Sequence, residues 1–419
     1  MTYRLTGDDV AFLRSRYGEK ALTVTADYAL SADSLLTDLT AVRSRYPDRA
    51  AALVETVRAR RRAVAKFGTA GAMPADDVLA DEVSVQQATA APVAAARAAD
   101  LAARHPGALV HDVTCSIGAE TAALADEPGI GAVIGSDLDP VRLAMAQHNL
   151  SLRGSGGRVP TLLRADALTP TSSADVVIAD PGRRTERGRV FGIEQLDPPL
   201  LELLAVYAGR PLVVKCAPGL DYHNLRTRFG FEGQVQIVSL DGGVREACLW
   251  TEAGDLPGQR ATVLRTDPDG EVHRYEVTSD EADEIDRGGD VRRDRVGDYL
   301  IDPDGAVVRA GLVRQYGHRH GLEQLDPHIA YLAGTAVPPG ERGFRVLEQL
   351  PVKDRALRTA LSARNCGRLE ILVRGLDVDP DRLRKRLKLS GDEAYALILT
   401  RIGRTGVAFL CEPGVRAPL

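Results

Sequence analysis

The residues best suited to chemistry cluster where short apolar runs end, in the middle of the chain. The first is His111-Asp112-Val113-Thr114-Cys115-Ser116-Ile117-Gly118-Ala119-Glu120-Thr121, an apolar run that breaks at a turn of small residues and opens a helix. Such a turn lets a ligand approach the backbone and meet free amides at the helix start. Only one glycine of the usual set is present, and Ser116 stands where another is expected. About 20 residues on, Asp137 closes the next run, a position from which a carboxylate holds a ribose diol. Asp166 closes the third, in Leu163-Arg164-Ala165-Asp166-Ala167-Leu168, where it can accept from an adenine amino group. The fourth ends in Asp180-Pro181-Gly182-Arg183-Arg184: a carboxylate able to orient or deprotonate a nucleophile, beside cations able to hold a phosphate or the loop's own acids. Lys215 and Cys216 close the fifth.

These tips need a sheet to align them. From Gly107 short runs alternate with helical stretches: strands at Ala108–Val113, Ala132–Ser136, Val159–Leu163, Ala174–Ile178, Pro211–Val214, Gln234–Ser239 and Arg245–Trp250, and helices at Ala119–Asp126, Pro140–Leu150 and Gln195–Tyr207. That alternation predicts a mainly parallel sheet covered on both faces, closed by an antiparallel hairpin. Upstream, residues 5–105 read as helical through Ser31–Tyr46, Asp48–Lys66, Asp76–Ser84 and Thr89–Arg104, with a hinge at Phe67–Pro74. Ser84-Val85-Gln86-Gln87-Ala88-Thr89 either leans over the ligand or caps a helix. Downstream, Ala261–Asp267 and Glu271–Val277 read as strands, Glu281–Asp294 as a charged exposed tract, and Val337–Gly340 as a linker. Phe344–Glu412 reads strand, helix, strand, helix, strand, with Asp379-Pro380 opening a helix over Asp381–Lys388.

Four acid-bearing strand ends in this order resemble the class I S-adenosylmethionine-dependent methyltransferases. The resemblance covers about residues 107–252 and implies S-adenosyl-L-methionine as cofactor. It places Asp112, Cys115, Gly118, Asp137, Leu138, Asp166 and Ala167 at the cofactor, and Asp180, Pro181, Arg183 and Lys215 at the transfer site. The aromatic that many nucleic-acid methyltransferases carry two residues after Asp-Pro is replaced by Arg183. Asp-Pro-Gly-Arg-Arg, then Lys215-Cys216-Ala217-Pro218-Gly219-Leu220-Asp221, then Tyr299-Leu300, Ala310-Gly311-Leu312, Tyr331-Leu332 and a basic terminal segment narrow it. The chain is similar to bacterial, and more narrowly actinobacterial, methyltransferases with a THUMP-like C-terminal domain.

The expected fold is therefore α/β: a Rossmann-like class I methyltransferase sheet, a helical N-terminal domain and an α/β C-terminal region. The expected divisions are 1–105 helical, 106–254 cofactor-binding, 255–336 a ferredoxin-like connector and 337–419 THUMP-like. THUMP domains bind RNA, chiefly tRNA, so the resemblance implies methylation of a tRNA or rRNA base. Two alternatives stand beside it: a degenerate RNA-binding protein, motivated by Ser116, and a small-molecule methyltransferase. Cys216 reads either as a nucleophile toward carbon 5 of a pyrimidine, with Lys215 lowering its pKa, or as a packed thiol.

Charge and composition bound the rest. At 419 residues, with 44% hydrophobic and 26% charged, the chain is too long for one core and too apolar for wholesale disorder. No apolar run approaches the roughly 20 residues needed to cross a bilayer, and no basic-then-apolar leader opens the chain, so a cytoplasmic protein is expected. Five scattered cysteines without Cys-x-x-Cys, and His318, His320 and His328 without partners at ligand spacing, give no expectation of a metal. The net charge is −5, yet residues 341–419 carry 16 Lys and Arg against 10 Asp and Glu. Within that segment Arg374, Arg382, Arg384, Lys385, Arg386 and Lys388, together with Arg184 upstream, are the candidates for phosphate contact. A second basic run is Arg58, Arg60, Arg61, Arg62 and Lys66.

Overall fold

The structure, a computed structural model, describes residues 3–68, 73–153, 158–183, 196–252, 258–283 and 298–419, with Arg183 described by its backbone alone. Arg184, Gln195, part of the expected hinge and most of the charged tract after residue 283 lie outside the described residues. Two compact units are present: residues 1–234 with 246–256, and 235–245 with 257–419.

The first unit opens with helices α1 (Gly7–Leu13), α2 (Arg16–Ala26), α3 (Leu35–Arg45), α4 (Ala50–Phe67), α5 (Glu82–Gln87) and α6 (Ala91–Arg104). Local chemistry sets their starts. Thr6 and Asp9 form a capping box on α1, Ser15 caps α2, and Asp81 forms a second box with Ser84 on α5. The helix expected over Asp76–Ser84 is not formed as such; only its end belongs to α5. Val78–Ala80 is buried, and the N–H and C=O of Leu79 both bond the Asn149 amide, so neither is available to a helical ladder.

The alternating segment follows: β1 (Leu109–Asp112), α7 (Ala119–Asp126), β2 (Ala132–Asp137), α8 (Pro140–Ser151), β3 (Thr161–Arg164), β4 (Val176–Ala179), β5 (Gly182–Arg183), β6 (Leu196–Asp197), α9 (Leu200–Val206), β7 (Leu212–Cys216), α10 (Tyr222–Phe229), β8 (Gln234–Leu240) and β9 (Gly243–Trp250). Where one helix was expected over Gln195–Tyr207, β6 pairs with β5 and α9 starts only after Pro198-Pro199, which have no N–H to give to a helical ladder. In the first unit the strand order is β9-β7-β4-β1-β2-β3, parallel except for β9 against β7. Asp241 and Gly242, both at positive φ (53° and 82°), make the two-residue turn that leads from β8 to β9. Val110, Val133, Val176, Ile178, Val213 and Trp250 share one core. A second core joins the N-terminal helices to Ile117, Ala122 and Met145 of the sheet's own layer.

The second unit contains β10 (Gln259–Thr266), parallel to β8 and antiparallel to β11 (Val272–Thr278). Next come β12 (Tyr299–Asp302), α11 (Gly305–Arg309), α12 (Val313–Arg319), β13 (Glu323–Asp326), β14 (Ile329–Gly334), β15 (Arg342–Pro351), α13 (Asp354–Ala363), β16 (Cys366–Val373), α14 (Pro380–Leu387), β17 (Glu393–Ile402), β18 (Thr405–Cys411) and β19 (Val415–Arg416). β12 to β18 form a sheet in the order β13-β14-β12-β15-β18-β17-β16, with β19 on β15. The residues expected as a connector thus divide between two sheets. The last segment has one strand more than expected, because Gly403, at φ 59°, and Arg404 turn one long apolar stretch into the pair β17–β18. No helix among the described residues is long and apolar enough to cross a membrane.

Candidate active site

β1 lies between β2 and β4, with Asp112 opposite both Gly135 and Ile178. Strand order reverses at this point, and the carboxyl ends flanking such a switch are where parallel sheets bind ligands. The predicted residues therefore share one edge of the sheet.

The turn after β1 is tied to β2 by the Cys115 N–H, which donates to the Ser136 carbonyl (2.8 Å). Gly118 stands at φ 88° as the cap of α7, and Ser116 at φ 49°. A left-handed residue other than glycine costs about 1–2 kcal/mol. Two bonds offset that cost at Ser116: its N–H donates to Asp137 Oδ2 (3.0 Å), and its Oγ accepts from Arg142 Nη1 (2.6 Å). Serine thus takes the backbone shape that glycine was expected to supply.

Asp137 also accepts the Asp139 N–H on Oδ1 (2.8 Å). With one backbone donor on each oxygen, the carboxylate is held still and keeps lone pairs for a diol. Leu138 beside it is 60% exposed, an apolar surface for a flat ring. The Ala165 N–H donates to the Asp137 carbonyl (3.3 Å), which keeps the exposed Asp166 next to this pair. Diol acceptor, apolar face and second acceptor follow one another along adjacent strand ends, and an adenosyl group fits that set. Asp112, Cys115 and Ala167 instead lie buried beneath it. Asp112 accepts from Thr121 Oγ1 (2.8 Å), and burial, reinforced by Glu120, pushes its carboxyl up to about 7. Its part is to brace α7 under the turn.

Asp180 stands just past β4, its N–H donating to Thr114 Oγ1 (2.6 Å) and its side chain 40% exposed, with Pro181 buried behind it. The β4–β7 register sets Val214 opposite Ala179, so the next residue, Lys215, falls beside Asp180; its Nζ reaches Asp180 Oδ2 at 2.5 Å. Lys215 is not an open substrate-side cation: it is 5% exposed and its ammonium also meets Thr89 Oγ1 and, at 3.7 Å, Glu120 Oε2. Burial works against that charge, yet Asp180, Glu120 and Glu246 raise its pKa. The backbone of Arg183 pairs with Leu196.

Sequence reading missed the ion network behind Lys215. Arg97 on α6 donates to Glu120 (2.8 Å), to Glu246 and to Cys248 Sγ (2.8 Å), all buried. The sequence offered no clear signal: each of these charges shares its element with another, Asp100 and Arg104 on α6, Asp126 on α7 and Arg245 on β9, and only the tertiary structure shows which are buried. Cys216 packs. Burial, then the Asp180 and Glu246 carboxylates, push its thiol up, opposite to what a thiolate nucleophile needs, and the Lys215 ammonium is engaged elsewhere.

In the second unit α14 buries Leu383 and Leu387 and exposes Arg382, Arg384, Lys385 and Arg386, with Lys388 as its left-handed cap. Arg382, Arg384 and Arg386 touch Asp379, Asp381 and Asp354 in exposed pairs, which are weak enough to yield to a phosphate. Arg374 does not join this row; it is turned onto Asp302 (2.8 Å) and the Tyr331 ring.

The THUMP domain-like family matches residues 341–413, and a domain of unknown function, DUF8688, matches residues 6–63. An uncharacterized S-adenosylmethionine-dependent methyltransferase of Mycobacterium tuberculosis, in strains CDC 1551 and H37Rv, is 49% identical over 379 residues, covering 89% of this chain and 99% of the relative. The chain belongs to the S-adenosylmethionine-dependent methyltransferases. A solved structure from Porphyromonas gingivalis W83, provisionally described as a methyltransferase, shares the fold along 98% of this chain and 99% of its own, at TM-score 0.73 and 20% identity. S-adenosyl-L-methionine is the cofactor of this methyltransferase, and when bound its sulfonium supplies an activated methyl group. Asp137→Ala is expected to weaken cofactor binding by roughly 10–100-fold, the usual cost of a charged hydrogen-bond acceptor. Calorimetric titration checks this, and unchanged affinity would remove Asp137 from the site.

Proposed function

We propose that this methyltransferase modifies a base of RNA, tRNA being favoured, with Asp180 orienting the attacking atom. The observation that supports this best is one chain carrying a methyl-transfer site and a THUMP domain-like region whose helix α14 exposes Arg382, Lys385 and Lys388. The methyl arrives activated, so the protein's share is alignment for in-line attack and acceptance of one proton. Asp180 Oδ2 is held by Lys215, and among the described residues Oδ1 is left to accept from a substrate N–H or O–H. Arg183, Arg184 and the exposed cations of α14 contact the substrate's phosphates in this reading. A base within a duplex is first unstacked.

Mass spectrometry of RNA nucleosides from cells with and without the gene tests the proposal; loss of one methylated nucleoside is expected, and an unchanged profile removes RNA as substrate. Binding to total tRNA should weaken steeply with salt. The triple substitution Arg382→Ala, Lys385→Ala, Lys388→Ala should flatten the slope of log K against log salt by about 2–3. An unchanged slope would take α14 off the interface.

A further inference from the structure

Lys215 offers three ammonium donors, and one of its acceptors, Thr89 Oγ1, comes from outside the sheet. Thr89 stands just before α6 and is buried. The backbone leading to it is gripped from the N-terminal helices: Lys66, in the last turn of α4, donates to the carbonyls of Gln86 (2.5 Å) and Ala88 (2.6 Å). Glu120, the other Lys215 contact, stands outside hydrogen-bond reach at 3.7 Å, turned toward Arg97, from which both its oxygens accept (2.8 and 3.3 Å).

We infer that Thr89 is a positioning residue for methyl transfer: held through Lys66, it fixes the Lys215 ammonium against Asp180. The N-terminal helices thereby become part of the transfer site rather than a grip on RNA. Their basic run supports the same conclusion. Arg58 and Arg62 pair with Glu82, Arg60 donates to the carbonyls of Asp77 and Val78, and Arg61 donates to those of Ala26, Tyr28 and Ala29. Each of these cations has a partner within its own fold, although Arg62 holds its own from an exposed position. The inference rests on the reading of Asp180 given above, and the test separates the two.

The test compares the full-length parent with Thr89→Val, which keeps the shape and loses the oxygen, with Thr89→Ser, which keeps the oxygen, and with Asp180→Asn. Transfer of labelled methyl from S-adenosyl-L-methionine to total RNA from cells lacking the gene gives kcat and KM; calorimetry gives cofactor affinity. Thr89→Val should lose about 10–100-fold in kcat, the size of effect that misplacing a reacting group by about an ångström produces. Its KM and cofactor affinity should stay near parental values, and Thr89→Ser should restore kcat to within about threefold of the parent. A parental rate in Thr89→Val while Asp180→Asn is inactive overturns the inference alone. So does a Thr89→Ser protein as slow as Thr89→Val, since the oxygen would then be irrelevant. A parental rate in Asp180→Asn overturns the role of Asp180 and the inference with it, and a parent that methylates no RNA in this pool overturns the RNA proposal and the inference together.

Discussion

Asp180→Asn should slow methyl transfer by at least about 100-fold while cofactor affinity changes by less than about threefold. Proton acceptance by a positioned side chain contributes roughly 10²–10⁴ in rate. The amide matches the carboxylate in shape, so Pro181 and the Thr114 contact at the backbone stay in place. What disappears is the negative charge that Lys215 holds toward the transfer site and that a substrate proton would approach. Asp137 and Asp166, the acids expected at the cofactor, stand two and three strands away. Single-turnover transfer of labelled methyl, run beside a calorimetric titration, separates the two effects. A parental rate would remove Asp180 from the chemistry; a parallel collapse of affinity would mean that it serves the cofactor instead.

Arg97→Met should destabilise the first unit by about 3–5 kcal/mol, the penalty for leaving buried charges without their partner. Arg97 is 3% exposed and sits between Glu120 and Glu246, each 7% exposed. Burial alone would favour the neutral form of Glu246; Arg97 and then Lys215 keep its pKa below the ordinary value. Methionine fills much of the volume but leaves two carboxylates facing one another with only Lys215 near. Changing Glu120 and Glu246 to Gln in the same protein should recover part of the loss, since removing a whole ion cluster costs less than breaking it. Trp250, the single tryptophan, lies fully buried in β9, so its fluorescence during urea unfolding reports this unit directly. An unfolding midpoint unchanged from the parent would show that the network contributes nothing.

The strands and helices that carry the site were legible because each strand end is marked twice, by an apolar run and by an acid or turn directly after it. Ala119–Asp126 and Pro140–Ser151 form helices within a residue of expectation, since a left-handed glycine and an Asp-Pro pair announce their starts. The positions of Asp137, Leu138 and Asp166 at the ends of their strands were readable for the same reason. The direction in which Lys215 points was not. A lysine at a strand end reads as solvent-seeking until the three acceptors around it are known, and those come from positions 89, 120 and 180. That Asn149 would seize Leu79, 70 residues earlier, and so deny the expected helix there, needed the tertiary structure.

That amide has a consequence for how such a protein can be inherited. Asn149 accepts the Leu79 N–H and donates to the carbonyls of Leu79 and Ile117, so one side chain stitches the leading helices to the cofactor turn. A recombination event that moved the helices onto another sheet would strand two buried backbone groups unless it also carried an amide at the matching place. The leading segment and the catalytic sheet must therefore descend together, as a single heritable piece.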